Sequence, residues 1–193
     1  MNGAKALPGV KDAFHNFVLV NILYVVSCAL TLGFVFPLQS MLLGSSLLDI
    51  GLLYLPHGVR VLAFYFFGWQ AIFYLLPASY LFLALSNSAG TDLDIMTPVV
   101  SMIACYLGYK AATFIPLFRN RALSPGLWKF LIFSGASSSL ANGIALSFLQ
   151  HQGAELLSVI GYMIGDVFGL CACFVILMYL FRFARLLAKA HDA

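Results

Sequence analysis

The sequence predicts an all-α, polytopic integral membrane protein with about six transmembrane helices. Three observations carry that reading. Hydrophobic residues fill 62% of the 193 positions and charged residues 9%, against roughly 45–50% and 25% in soluble domains. The mean hydropathy is +0.98. Apolar stretches of about the 20 residues that a bilayer-crossing helix requires recur along the chain. A water-soluble globule cannot cover itself with 10 basic and 7 acidic side chains. An ordinary soluble enzyme and a disordered chain are therefore excluded. The net charge of +3 does not come with the clustered basic face of a nucleic-acid-binding domain, so no nucleic-acid partner is expected.

The first apolar stretch, 14–36, follows Lys5, Lys11 and Asp12. It is too long for a signal-peptide core and ends without a small-x-small cleavage site, so it reads as a retained span. Pro37 and Gln39 are expected to close it. The second stretch, 41–67, is interrupted by Pro56-His57-Gly58. Proline removes a backbone donor and glycine loosens a helix, so this is either one broken span or two short ones.

Charge decides between them. With six spans and an inner N-terminus, Lys5, Lys11, Arg119, Arg121, Lys129, Arg182, Arg185 and Lys189 all fall inside. The outer loops then hold Asp92, Asp94 and Glu155 and no Lys or Arg, a positive-inside pattern. Seven spans would invert most of it. The expectation is six spans with the second broken at Pro56-His57-Gly58, and both termini cytoplasmic in a bacterial-type inner membrane.

The remaining boundaries are clearly punctuated. Gly68 and Trp69 separate the second stretch from the third, 69–87. The polar run from Ser86 to Asp94 leads to the fourth, 97–118. Arg119-Asn120-Arg121 and Ser124-Pro125-Gly126 precede the fifth, 127–149, and His151-Gln152-Gly153 precedes the sixth, 156–182. No soluble domain fits, and the tail after Phe181 is too short for an output module, so residues 1–193 read as one transmembrane domain. The two halves share no repeat, which argues against an inverted-repeat transporter. Cys28, Cys105, Cys171 and Cys173 lie in apolar runs and read as small apolar helix residues.

Polar groups in lipid are costly and so mark candidate sites. Asp49, Arg60, Lys110 and Asp166 lie within the spans, and their charges sum to zero. They neutralise one another for structure, snorkel to water as Lys110 near the inner end could, or form a site. At about 1.5 Å per residue, Asp166 lies about 15 Å below the outer surface, Asp49 about 12 Å and Asn142 about 10 Å. These three could face one outward-open cavity, with Arg60 deeper. The half-helix beginning near Gly58 aims its amides and positive dipole end at the break. With His57 and Arg60 beside it, the place suits a small polar or anionic ligand. The structural alternative is a proline kink with Arg60 bound to Asp166 or Asp49.

Gly161, Gly165 and Gly169 form a small-residue stripe on the sixth span. The fifth span, with Ser134 to Ser139 and Ala141-Asn142-Gly143, is expected to pack on it. His15, His57, His151 and His191 lack metal-ligand spacing. There is no GxSxG, Walker loop, dinucleotide turn or HExxH. Neither catalysis nor a metal or cofactor is expected.

Leu55-Pro56-His57-Gly58-Val59-Arg60-Val61-Leu62-Ala63, followed by Gly68-Trp69, resembles the Pro-x-Gly and apolar-run motif of membrane-associated sensor (MASE-type) domains of bacterial signalling proteins. Ile164-Gly165-Asp166-Val167-Phe168-Gly169 resembles the late Gly-Asp-x-x-Gly element of the same domains. Together the two elements span roughly residues 41–182. That family usually has about eight spans and a cytoplasmic output module. The late Gly-Asp element and the chain length are also similar to the S components of energy-coupling-factor transporters, which have about six spans. Their first helix presents small residues to a coupling subunit, where this chain has Ser27, Ala29, Thr31 and Gly33.

Either resemblance implies an outward-opening ligand cavity. The expected function is a non-enzymatic, sensor-like membrane module. It would bind its ligand near His57, Arg60, Asp49, Asn142 and Asp166, and act on a separate membrane or cytoplasmic protein through the sixth helix and basic tail. The alternatives are a solute-uptake subunit and a structural or assembly subunit of a membrane complex.

Overall fold

A computed structural model describes residues 10–43, 53–88, 94–115, 127–149 and 156–191. Asp49, Asp92, Arg119, Arg121, His151 and Glu155 lie outside the described residues. The described chain is helical, without a strand. Its order is α1 (Val10–Leu30), a π-helical turn (Thr31–Val35), α2 (Phe36–Leu43), α3 (Leu55–Phe67), α4 (Gln70–Ser88), α5 (Thr97–Thr113), α6 (Leu127–Leu149) and α7 (Leu156–His191). The first three segments are continuous, so six helical rods result among the described residues.

Two proline expectations are corrected. Pro37 does not close the first helix, which runs on to Leu43. In a regular helix its ring would press on the carbonyl four residues back. Here the Phe36 amide bonds to the Thr31 carbonyl, five residues back. That wider π-turn, immediately before Pro37, makes the room. Pro56 likewise does not break a helix. It sits in the first turn of α3, where a missing amide costs little and the fixed φ suits helical backbone. The interruption falls one step earlier, at the non-helical Leu53 and Tyr54.

The other ends have local causes. Gly68 caps α3 with φ 60°, a backbone that only glycine adopts cheaply. Its amide reaches the Phe64 carbonyl and its carbonyl receives the Ala71 amide, at 2.9 and 3.2 Å. The turn into α4 is therefore two residues long. Asp94 opens α5 by accepting the Met96 amide on its side chain at 2.8 Å. α5 stops at Thr113, short of the apolar stretch's end, because Pro116 disfavours helical backbone before it. α7 outruns its expected end and carries Arg182, Arg185 and Lys189 on helix.

Two helices, Lys11–Leu42 and Val159–Leu187, are long and apolar enough to cross a membrane. Only 28% and 22% of their most apolar stretches is buried within the protein, whereas a soluble protein's core helix would be mostly covered. Phe14, Met41, Phe148 and Phe181 are among many large apolar side chains left exposed.

α3 is the opposite case. Nine of its 13 residues are buried, and it packs against α1, α4, α5, α6 and α7. Val61 and Phe64 join Tyr24, Leu75, Met102 and Leu170 at zero exposure. An uncharged bond ties α1 to α4. Pro77 sits inside α4 and cannot donate backward. Asn21 Nδ2 donates to the nearby Tyr74 carbonyl at 2.6 Å and to the Phe17 carbonyl on its own helix at 2.8 Å.

Candidate functional site at the start of α3

The start of α3 is fixed on α7 by backbone contact. The Tyr54 amide donates to the Gly165 carbonyl at 3.0 Å. A Cβ on Gly169 would fall on the Tyr54 backbone, and one on Gly58 would lie 2.7 Å from Cys173 Cβ and 3.2 Å from Leu170 Cα. Glycines on both helices thus permit the crossing, the use small residues have between membrane helices. Gly165 and Gly169 face the chain entering α3. α6 meets α7 elsewhere: Gly143 faces Val159 and Gly135 faces Leu170. Gly161 is buried on α7.

This crossing brings His57 and Asp166 together. His57 has zero exposure and Asp166 7%. His57 Nδ1 lies 3.4 Å from Asp166 Oδ2. On the other side of the ring, Nε2 is 3.0 Å from the Gly135 carbonyl of α6. Asp166 Oδ2 also accepts the Ser139 hydroxyl at 2.5 Å. Three helices therefore meet on one imidazole and one carboxylate.

Arg60 lies one turn along α3 and is 7% exposed. Its Nε and Nη2 donate to the Tyr24 hydroxyl at 3.1 and 2.5 Å, and Nη1 donates to Ser101 Oγ at 3.1 Å. The Tyr24 and Tyr54 rings lie 5.5 and 5.9 Å from its guanidinium carbon, close enough for cation–π attraction. The sequence expectation of Arg60 paired with Asp166 is corrected: Asp166 takes His57, and Arg60 takes hydroxyls and rings. The cause is direction. The Arg60 head reaches α1 and α5, while His57, three residues earlier, points at α6 and α7.

Asn142 lies one turn beyond Ser139 on α6, and its buried Oδ1 has no hydrogen-bond partner among the described residues. Lys110 is exposed, with its ammonium 5.8 Å from the Tyr106 ring, and stands apart from the polar centre. Asp49 lies outside the described residues. Tyr24 and Ser101 join the site without having been singled out in the sequence, while Ser139 and the Gly135 carbonyl come from the Ser134–Ser139 run that was. The hydroxyl-rich run from Ser134 to Ser139 was the available signal for α6; nothing marked Tyr24.

The described residues hold no group of three or more His, Cys, Asp or Glu that could bind a metal ion. A surface depression of about 540 Å³ is lined by Met178, Phe181, Arg182, Arg185 and Leu186, all on α7 and far along it from Asp166. What the polar centre can do chemically is hold and move a proton, and offer a guanidinium to an anion. No protein-family model, curated protein or solved structure matches this chain.

Proposed function

We propose that this chain is a six-span, non-enzymatic membrane module of the sensor-like kind, with both ends on the cytoplasmic side of a bacterial-type inner membrane. It takes its input at the junction of α3, α6 and α7 and delivers its output along α7 to a separate protein. The observation that carries this reading is the gathering of His57, Arg60 and Asp166, all at most 7% exposed, at the start of a helix docked on α7.

Ionisable groups buried in lipid-facing bundles are expensive to keep, which favours a functional role over a purely structural one. Arg60 supports a small anionic ligand. Its hydrogen-bond partners are the Tyr24 and Ser101 hydroxyls and the Cys105 thiol, all uncharged, so an added carboxylate or phosphate would supply a counter-charge. α7 supports the output role. At 36 residues it is about 54 Å long, well over the roughly 30 Å of a hydrocarbon core. Its basic end therefore extends into water.

One further observation favours the assembly reading. Val175, Ile176, Met178, Tyr179, Leu180 and Phe181 are exposed all round this part of α7, so it is not covered by the bundle itself and is open to a partner helix.

Native mass spectrometry from mild detergent separates the readings. A small acidic molecule retained by the native protein and lost from Arg60→Met and Asp166→Asn is the expected result. Stoichiometric protein partners with no small molecule would favour the assembly subunit. Co-purification of an ATPase with a retained solute would favour an uptake subunit.

A further inference from the structure

We infer that His57 Nδ1 and Asp166 Oδ2 form a proton-binding site at the centre of the bundle, and that the proton bound there ties the first turn of α3 to α7. The inference rests on the input role proposed for this junction and adds a proton, bound at the pair, to the anion proposed for Arg60.

The geometry assigns the hydrogens on the imidazole. Nε2 faces the Gly135 carbonyl at 3.0 Å. A carbonyl only accepts, so Nε2 carries a hydrogen and Nδ1 is the nitrogen that gains or loses one. Nδ1 is fully buried and has no hydrogen-bond partner among the described residues. It lies 3.4 Å from Asp166 Oδ2, beyond the roughly 2.7–3.2 Å of an N–H···O bond. That gap also leaves no room for a water between the two atoms.

Proton count then sets the sign of the contact. Without a proton, the Nδ1 lone pair faces a carboxylate and the two repel. One proton taken from solution makes either an imidazolium beside a carboxylate or an imidazole beside a carboxylic acid. Both close an N–H···O or O–H···N bond between α3 and α7. The Ser139 hydroxyl at 2.5 Å holds Oδ2 in place for it.

The charged and titratable groups that act on the pair are Arg60 on α3, Tyr54 just before it and Cys105 on α5. Cys173 on α7 lies against Gly58, and α6 contributes the uncharged Gly135 carbonyl and Ser139 hydroxyl. Arg60 is the one fixed charge among them. Movement of the pair is transmitted directly, because the carbonyl of Gly165 and the Gly169 face, on either side of Asp166, carry the Tyr54 backbone.

The test uses the full chain in lipid nanodiscs, with nitrogen-15 histidine and carbon-13 aspartate. The His57 ring signals are assigned against His57→Gln, one of four histidines. The expected result is a reversible protonation of Nδ1 as the pH is lowered, with the Asp166 carboxyl signal recorded beside it to report the contact. Asp166→Asn is expected to displace its midpoint by about one pH unit or more. Ser139→Ala, a milder change, is expected to displace it in the same experiment. The protection factor of the Tyr54 amide, its exchange rate relative to the intrinsic rate at each pH, is expected to fall about tenfold on the high-pH side of the His57 midpoint.

An Nδ1 that stays unprotonated throughout, or one whose titration ignores both variants, overturns the site. Retention of a small acid by a protein whose His57 does not titrate overturns the proton site and leaves the ligand-binding module standing. Titration at His57 with no response at the basic end of α7 supports the proton site and sinks the sensor reading.

Discussion

At the scale of single residues, the polar centre is held by side chains that each serve more than one partner. Tyr24 shows this most clearly. One hydroxyl takes two Arg60 donors, so its loss leaves a buried guanidinium short of acceptors. Tyr24→Phe is expected to cost about 1–3 kcal/mol, read as a lower denaturation midpoint in detergent. Ser101→Ala removes one donor's partner and is expected to cost less. If both variants melt like the native protein, Arg60 has another partner and the network drawn here is incomplete. The sequence marked Arg60, His57 and Asp166 because ionisable residues stand out in apolar runs. It could not mark Tyr24 or Ser101, because one tyrosine or serine among many carries no signal until the helices are placed.

At the scale of elements, glycine and proline act by position rather than by type. A Cβ at Gly169 collides with the Tyr54 backbone, which cannot swing aside, whereas one at Gly33 meets nothing within 4 Å. Gly169→Ala is therefore expected to destabilise by about 1–3 kcal/mol, while Gly33→Ala is neutral or mildly stabilising. Parallel thermal melts check the pair, and equal effects would contradict the α3–α7 crossing.

Prolines divide in the same way. Pro56 sits in a first turn, with its ring fully buried, so Pro56→Ala breaks no backbone hydrogen bond and is expected to cost only the cavity it leaves, about 1–2 kcal/mol. Loss of helix by circular dichroism in that variant would contradict the first-turn placement. Apolar-run length placed α4 and α6 to within a residue, but it started the second rod at 41 instead of Leu55 and ended the first and last rods well short of Leu43 and His191. It misjudged Pro37 and Pro56 because a proline's effect depends on the hydrogen bonds around it, and those are set by the preceding π-turn in one case and by the helix start in the other.

At the scale of the whole molecule, composition and arrangement agree. An all-α class follows from apolar runs that the structure resolves into rods. The two long outer helices leave most of their apolar surface uncovered, while the short central one is almost fully buried. The protein is expected to resist extraction by salt and alkaline carbonate and to require detergent. Single-cysteine labelling in a cysteine-free background is expected to find Arg182→Cys and Lys110→Cys reactive from the cytoplasmic side and Asp94→Cys from the outer side. Labelling of Asp94→Cys from the cytoplasmic side would overturn the six-span arrangement. A ligand or partner class was not legible in the sequence, because it would depend on which polar atoms the packing leaves together.

The brevity of α3 has a mechanical meaning. Thirteen residues make a rod of about 20 Å, joined to α4 at one end by the tight Gly68 turn and bearing His57 near the other. A tilt of about 10° about Gly68 would carry His57 through roughly 3 Å, about two residues' rise along a helix. A shift of that size would break the 3.0 Å bond from Tyr54 to Gly165 and part the close contacts at Gly58 and Gly169. The short rod thus has its position set at both ends, by a turn at Gly68 and by a seat on the glycines of α7.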